Sequence, residues 1–338
     1  MPVQTPAIFV RLPKFLFNAH GAVDRTKWHL PKWLQVEGET LLPEIASERL
    51  RDYRGPVTNT DIWDSFALRR DDIIVDTPPK CGTTWMLHIV MMLIHGRAVP
   101  NAGGSDHAPW LDCAFRDRQK SARFLDGLER RRCIKSHTPM DGILYATEPT
   151  YVVVYRHPVD AHFSLRAHSA NMTEDSLAYM FPEDEAEGFR RFITAPATDS
   201  GTDDLTVASI AHHYREAKKR APNGNVHFFH YADMSRDLPG QIVRLAGILG
   251  IDCPDALRDE LAEATNFGAM RKAVEQSDRR FHEDTPFHDL ADFYASGTSN
   301  KWEGRVSDNL MADYSARIAE VLPPEDVAWL EWGERGSD

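Results

Sequence analysis

Thr77-Pro78-Pro79-Lys80-Cys81-Gly82-Thr83-Thr84-Trp85 separates a short β-branched run, Asp72-Ile73-Ile74-Val75-Asp76, from a longer apolar stretch, Trp85-Met86-Leu87-His88-Ile89-Val90-Met91-Met92-Leu93-Ile94. A short apolar run, a Pro/Gly turn and a longer apolar run read as strand, loop and helix. A glycine, a lysine and two hydroxyls at the start of a helix make an anion site. The first backbone N–H groups lack partners within the helix, and the helix dipole favours negative charge there. The stretch is a phosphate-binding loop, and the rest of the chain must say whose phosphate it holds.

Working outward, strand-like runs recur at Cys133-Ile134-Lys135, Tyr151-Val152-Val153-Val154-Tyr155 and Val226-His227-Phe228-Phe229. Helical patterns lie between them, near 84–96, 158–170, 205–220 and 240–250. Alternating strands and helices predict an α/β chain: a three-layer, P-loop-like fold with a central, mostly parallel sheet flanked by helices. Ligands in such sheets bind beyond the carboxyl ends of the strands. Residues 1–338 are expected to form a single domain, with 1–60 as an N-terminal wrapping segment. Three stretches read as weakly structured: Ala98–Asp112, Asn171–Asp204 and Arg271–Asp308. The last two, 171–204 and 271–308, are candidate lid loops.

Bulk composition narrows the classes. The chain has 338 residues and a formal net charge of −12, which disfavours a nucleic-acid partner. Four cysteines, Cys81, Cys113, Cys133 and Cys253, have no paired spacing, which argues against a disulfide framework or zinc site. No basic-then-apolar leader is apparent, and the longest apolar stretch is about half of the roughly 20 residues a span requires. A cytoplasmic protein without a membrane span is expected. Fifteen histidines show no His-Glu-x-x-His spacing, and His212-His213 reads as a solvated surface pair.

The strand ends carry the chemistry. An ATPase-type loop reads G-x-x-x-x-G-K-[ST], with Lys after the second glycine, whereas here Lys80 precedes Gly82. Lys135-Ser136-His137 places a cation and a titratable imidazole two residues apart in an extended segment, hence on one side. Such a histidine, beside a phosphate loop, can take a proton near pH 7; a histidine merely packed at a strand end is the bland alternative. Arg156 ends the most apolar strand, Pro158 suits the first turn of the next helix, and Ser164 lies further along it. A planar, permanently charged donor there suits a phosphate monoester, or a surface salt bridge.

Taken in order, these motifs resemble the cytosolic-type sulfotransferases that use 3′-phosphoadenosine 5′-phosphosulfate (PAPS), from about Trp63 to Trp302. Pro79-Lys80-Cys81-Gly82-Thr83-Thr84-Trp85 is similar to that family's P-K-S-G-T-T-W loop, with Cys81 for the usual serine. Lys135-Ser136-His137 is similar to its K-T-H element, and Arg156 with Ser164 to its 3′-phosphate pair. Tyr231-Ala232-Asp233-Met234 and Thr265-Asn266-Phe267 resemble its Y-E-D-M and T-S-F segments. The resemblance implies roles. Lys80 and Lys135 would neutralise charge on the sulfuryl group and the leaving phosphate, with His137 as general base. Residues 80–85 would hold the 5′-phosphate and adenine. Arg156 and Ser164 would clamp the 3′-phosphate, with Tyr231, Thr265, Phe267, Ser296 and Gly297 completing the nucleotide site. It implies PAPS as donor, PAP as product, and no metal.

The family's R-K-G-x-x-G-D-W motif appears as Ala295-Ser296-Gly297-Thr298-Ser299-Asn300-Lys301-Trp302. Ala295 stands at the arginine position, removing a charge-assisted contact of about 1.5–3 kcal/mol unless Lys301, Arg279 or Arg280 replaces it. The acceptor stays open among phenols, alcohols, amines and glycolipids, with Trp110, Phe115 and Phe163 as candidate pocket aromatics. Arg166 reads as solvated on its helix. The family's C-terminal dimer signature is absent, so the oligomeric state stays open. A P-loop kinase and a catalytically weak nucleotide-binding module are the alternatives.

Overall fold

The computed structural model describes residues 49–174, 177–197, 203–277, 280, 286–294 and 297–334. Four strands form one sheet: β1 (Ile73–Asp76), β2 (Cys133–Ser136), β3 (Thr150–Tyr155) and β4 (Val226–His230). Their order is β2-β1-β3-β4 and every pairing is parallel. Each strand matches a run read from the sequence.

The helices are α1 (Thr83–His95), α2 (Arg118–Asp126), α3 (Pro158–Ala170), α4 (Glu185–Thr194), α5 (Val207–Arg220) and α6 (Tyr231–Arg236). They continue with α7 (Leu238–Leu249), α8 (Asp255–Thr265), α9 (Phe267–Glu275), α10 (Asp308–Val321) and α11 (Pro324–Trp332). The period-2 alternation of the strands sorts them into layers. Ile73, Val75, Val152 and Val154 pack against α1, α7 and α8 residues such as Met86, Val90, Leu245 and Leu261. Ile74, Tyr151, Val153 and Tyr155 face the other way, toward Phe163, Phe189, Ile210 and Tyr314. Both faces of the sheet are covered, as a parallel sheet requires.

The expected weak structure of 171–204 needs correction. Asp184 caps α4 by accepting from the Ala186 and Glu187 amides, and Phe189, Phe192 and Ile193 bury its inner face. The acidic residues of this stretch obscured an apolar spacing of i, i+3, i+4. Helix α9 likewise extends into 271–308 as far as Glu275. Of the expected wrapping segment 1–60, residues 1–48 lie outside the described residues. Residues 50–53 are tied down: the Leu50 and Arg51 amides donate to the Asp141 carbonyl, and Tyr53 is buried.

Arg132 anchors the amino ends of β1 and β2. It has no solvent exposure, donates to Asp72 at 2.6 and 2.5 Å, and donates again to Asp126 and the Ala67 carbonyl. All four cysteines are free thiols, and three of them are buried. No helix among the described residues is long and apolar enough to cross a membrane.

Candidate active site

The loop between β1 and α1 turns through two left-handed residues, Lys80 (φ 65°) and Gly82 (φ 112°). Left-handed backbone is unusual for lysine and suits a strained functional turn. The left-handed φ of Gly82 suits glycine, and a Cβ there would also stand a tight 3.3 Å from the Tyr231 ring. The hydroxyls of Thr77 and Thr83 bond to one another across the loop. Gly82 is the N-cap of α1 and supplies no capping side chain, and no acidic residue occupies the first turn. The first amides of the helix are therefore not claimed by a side-chain cap. Cys81 turns away: it is fully buried in the core, and burial pushes its thiol up to about 12.

The loop opens on a cavity of ≈ 570 Å³ lined by residues from every strand end. Lys80, Lys135, His137, Arg156 and Ser164 all line it, so the residues singled out at the strand ends come together in one cavity. Among the described residues, four cations, Lys80, Lys135, Arg156 and Lys301, line the cavity with a single carboxylate, Asp203. In a chain of net charge −12, that local reversal marks a site for an anion.

His137 is buried, and its Nδ1 lies 2.7 Å from the Thr77 carbonyl oxygen. A carbonyl only accepts, so Nδ1 carries the proton and Nε2 keeps its lone pair. Burial, then the Lys135 charge, hold its pKa well below the ordinary imidazole value, so the ring is neutral at pH 7. Trp110 sets the geometry. Its ring stands edge-on 4.7 Å from His137 and lies 4.4 Å beneath the Lys135 ammonium. The Trp110 Nε1 donates to buried Asp112, which also accepts from Trp63, Ser136 and Thr138. Sequence reading missed Asp112, whose only signal is its place beside Trp110.

Lys80 stands 4.2 Å over the Phe293 ring and donates to His168 Nδ1 at 3.2 Å. Burial, followed by the charges of Lys301, Lys135 and Arg156, lowers its pKa to about 7. Burial likewise brings Lys135 and Lys301 to about 8. Protonated lysines bind anions better, so PAP affinity should fall as pH rises from about 6.5 to 9. Calorimetry across that range measures it; a flat profile would show that these ammonium groups do not hold the ligand.

Arg156 lies over the Tyr231 ring at 4.1 Å and donates from Nη2 to the Thr298 carbonyl at 2.6 Å. Its Nε is buried 3.7 Å from the Asp160 carboxylate, beyond hydrogen-bond distance, and Nε1 of Trp85 is buried with no hydrogen-bond partner among the described residues. The Arg156 guanidinium and the Trp85 indole N–H, with the uncapped amides of α1, fit a nucleotide phosphate and base. Gly297 (φ 62°) presses against Phe267, where a Cβ would come within 2.6 Å of the ring. Lys301 is held beside Arg156 because Asp160 accepts the Asn300 and Lys301 amides. Among the described residues it is the candidate replacement for the missing arginine that reaches the cavity. Arg280 is paired with Asp289 instead. Ala295, Ser296 and Arg279 lie outside the described residues.

Several expectations change. Thr265 is buried, its hydroxyl donates to the Leu261 carbonyl, and it does not line the cavity; Asn266 and Phe267 do. Phe163 stacks on Phe189 in the core, whereas Trp110 and Phe115 line the cavity. Arg166 is not solvated: it donates to the Pro182 and Glu183 carbonyls beside Glu185. The His212-His213 pair is not a solvated surface pair either: His212 is half-buried and His213 buried. His213 is buried, bonded to the Tyr155 hydroxyl and 3.4 Å from Asp76, because α5 closes over the ends of β1 and β3. His212 engages Tyr53 and Asp141. Asp141, His212 and Glu216 do gather closely enough to hold a cation, yet Tyr53, Lys219 and Arg220 already satisfy them.

Fold and cavity together define a phosphate-loop α/β protein whose site is built for an extended anion. The chain belongs to the sulfotransferase family: residues 70–324 match the family model described as "Sulfotransferase domain". It is 30% identical over 320 residues to a glycolipid sulfotransferase of Mycobacterium bovis (strain BCG / Pasteur 1173P2), covering 85% of this chain and 95% of that one. It is 22% identical over 257 residues to sulfotransferase 1E1 of Bos taurus, covering 72% and 81%. Among solved structures it is similar in fold to mouse sulfotransferase SULT7A1 complexed with PAP. There the TM-score is 0.62 at 19% identity, with 83% of this chain and 97% of that one covered.

Proposed function

We propose that this sulfotransferase takes its sulfuryl group from PAPS and that His137 is the general base for the acceptor. The observation that carries the reading is the neutral His137, with its Nε2 lone pair free, in one cavity with Lys80, Lys135 and Arg156. PAPS would supply the sulfuryl group, and the chain's part is placement and charge. Lys80 and residues 82–85 hold the 5′ end; Arg156, Ser164 and Lys301 hold the 3′-phosphate; Trp85, Tyr231 and Phe267 take the adenine. Lys80 and Lys135 offset the charge that develops in the transition state, which costs no reorganisation in a site already so arranged. His137 Nε2 accepts the acceptor's proton as its oxygen becomes nucleophilic.

For the acceptor we favour a hydroxyl on a sugar-bearing lipid. The glycolipid sulfotransferase relative supports this, as do the apolar Leu165, Met172 and Leu177 along the wall. Incubation with labelled PAPS and a panel of glycolipids, phenols, alcohols and amines tests donor and acceptor together. Product on no acceptor, with no PAP binding at millimolar concentration, would end the reading. Replacing Arg156 by alanine should weaken PAP about 10- to 100-fold, as expected for loss of charge-assisted bonds. Calorimetry reads the change, and an unchanged affinity would remove Arg156 from the phosphate site.

A further inference from the structure

Asp203 is the single carboxylate among the described residues of the cavity wall, and its two oxygens are used unequally. Oδ2 accepts from the amides of Val57 (2.9 Å) and Thr58 (3.4 Å) and presses against Gly55, where a Cβ would come within 2.0 Å of it. The Thr58 hydroxyl also bonds the carboxylate, yet Oδ1 is buried and has no hydrogen-bond partner among the described residues. The residue as a whole is only 9% exposed, so water does little to satisfy that oxygen. The neighbouring Asp204 is different, since Tyr179 donates to it at 2.7 Å.

The position of Asp203 ties it to the reacting end of the cavity. Val57 accepts the Ala114 amide at 2.7 Å, and Thr58 pairs with Cys113. That segment carries Phe115, whose ring packs edge-on against Trp110 at 5.8 Å, and Trp110 in turn touches His137. The donors to Oδ2 thus fix the carboxylate on the wall shared with the proposed base. Burial raises the Asp203 carboxyl above its ordinary range, and a buried acceptor oxygen without a donor is costly, a cost that a ligand O–H removes. Lys80, Lys135, Arg156 and Lys301 line the same cavity, which favours a neutral O–H donor over a second cation.

Resting on the acceptor reading above, we infer that Asp203 Oδ1 accepts a hydrogen bond from a second hydroxyl of the acceptor, one that is not sulfated. Asp203 is thus a specificity residue that selects a hydroxyl-rich head over a simple alcohol. The test is D203N, which keeps an oxygen for the Val57 and Thr58 amides and turns the free end into a donor. Binding of octyl β-D-glucoside, 1-octanol and octylamine is measured by tryptophan fluorescence on the PAP-loaded chain, with thermal unfolding as a check on folding. The wild type should prefer the glucoside, and D203N should lower the glucoside-to-octanol affinity ratio about 10- to 100-fold, as for loss of a bond to a charged group. An unchanged ratio overturns the inference, as does a wild type that binds octanol as tightly as the glucoside or prefers octylamine. Failure of PAP to bind would instead count against the donor reading. The three acceptors are then compared on the chain alone, where the same outcomes decide.

Discussion

Replacing His137 by alanine is expected to lower kcat about 10²- to 10⁴-fold, the usual worth of a positioned general base. PAP affinity should stay close to that of the parent, because the phosphate contacts are assigned to the α1 loop, Arg156 and Lys301. The structure gives the pH dependence its sign. Burial and Lys135 keep the imidazole pKa well below its ordinary value, so the ring remains in its basic form as pH falls through 6.5. The acid limb of kcat/KM should therefore lie below the ordinary histidine range and should vanish in the alanine variant. Steady-state rates from about pH 5 to 9 provide the check. A variant that keeps full kcat would show that His137 only packs at the strand end.

The second large effect is on stability. Arg132→Ala should destabilise the fold by about 3–5 kcal/mol, because it leaves Asp72 buried with its charge uncompensated. Asp72 has no solvent exposure, and burial already pushes its carboxyl upward against the pull of Arg132. The pair sits where β1 and β2 begin, and the Ile73 amide donates to the Arg132 carbonyl, so the damage falls on the sheet that carries the loop. Urea unfolding measures it. The double variant Arg132→Met with Asp72→Leu should lose less than the single one, since no lone charge remains. Arg132 also lies over the Phe66 ring at 4.7 Å, and equal loss in both variants would assign the effect to that packing rather than to charge.

Much of the site was legible because its residues follow strand ends directly. In a parallel sheet, each strand delivers the residue after it to the same edge, so Lys80, Lys135–His137 and Arg156 could be grouped without coordinates. Helix α4 was hidden because the acidic run around it masked Phe189, Phe192 and Ile193. His212-His213 and Arg166 looked solvated because polar residues in a helical segment usually are. Their burial depends on Asp76, Tyr155 and the 182–185 backbone, which are distant in sequence and close only once α3 and α5 pack.

The sequence by itself determined the alternation of strands and helices, the phosphate loop and the family, since these rest on local periodicity and contiguous motifs. Tertiary structure alone decided which polar groups have partners. The proton on His137 Nδ1 is set by the Thr77 carbonyl, and the lowered pKa of Lys80 by its burial among other cations. The placement of Lys301 follows from Asp160, and the free oxygen of Asp203 from the two amides that claim its other one. Each depends on contacts between segments remote in the chain, and on the exclusion of water that makes a missing partner costly.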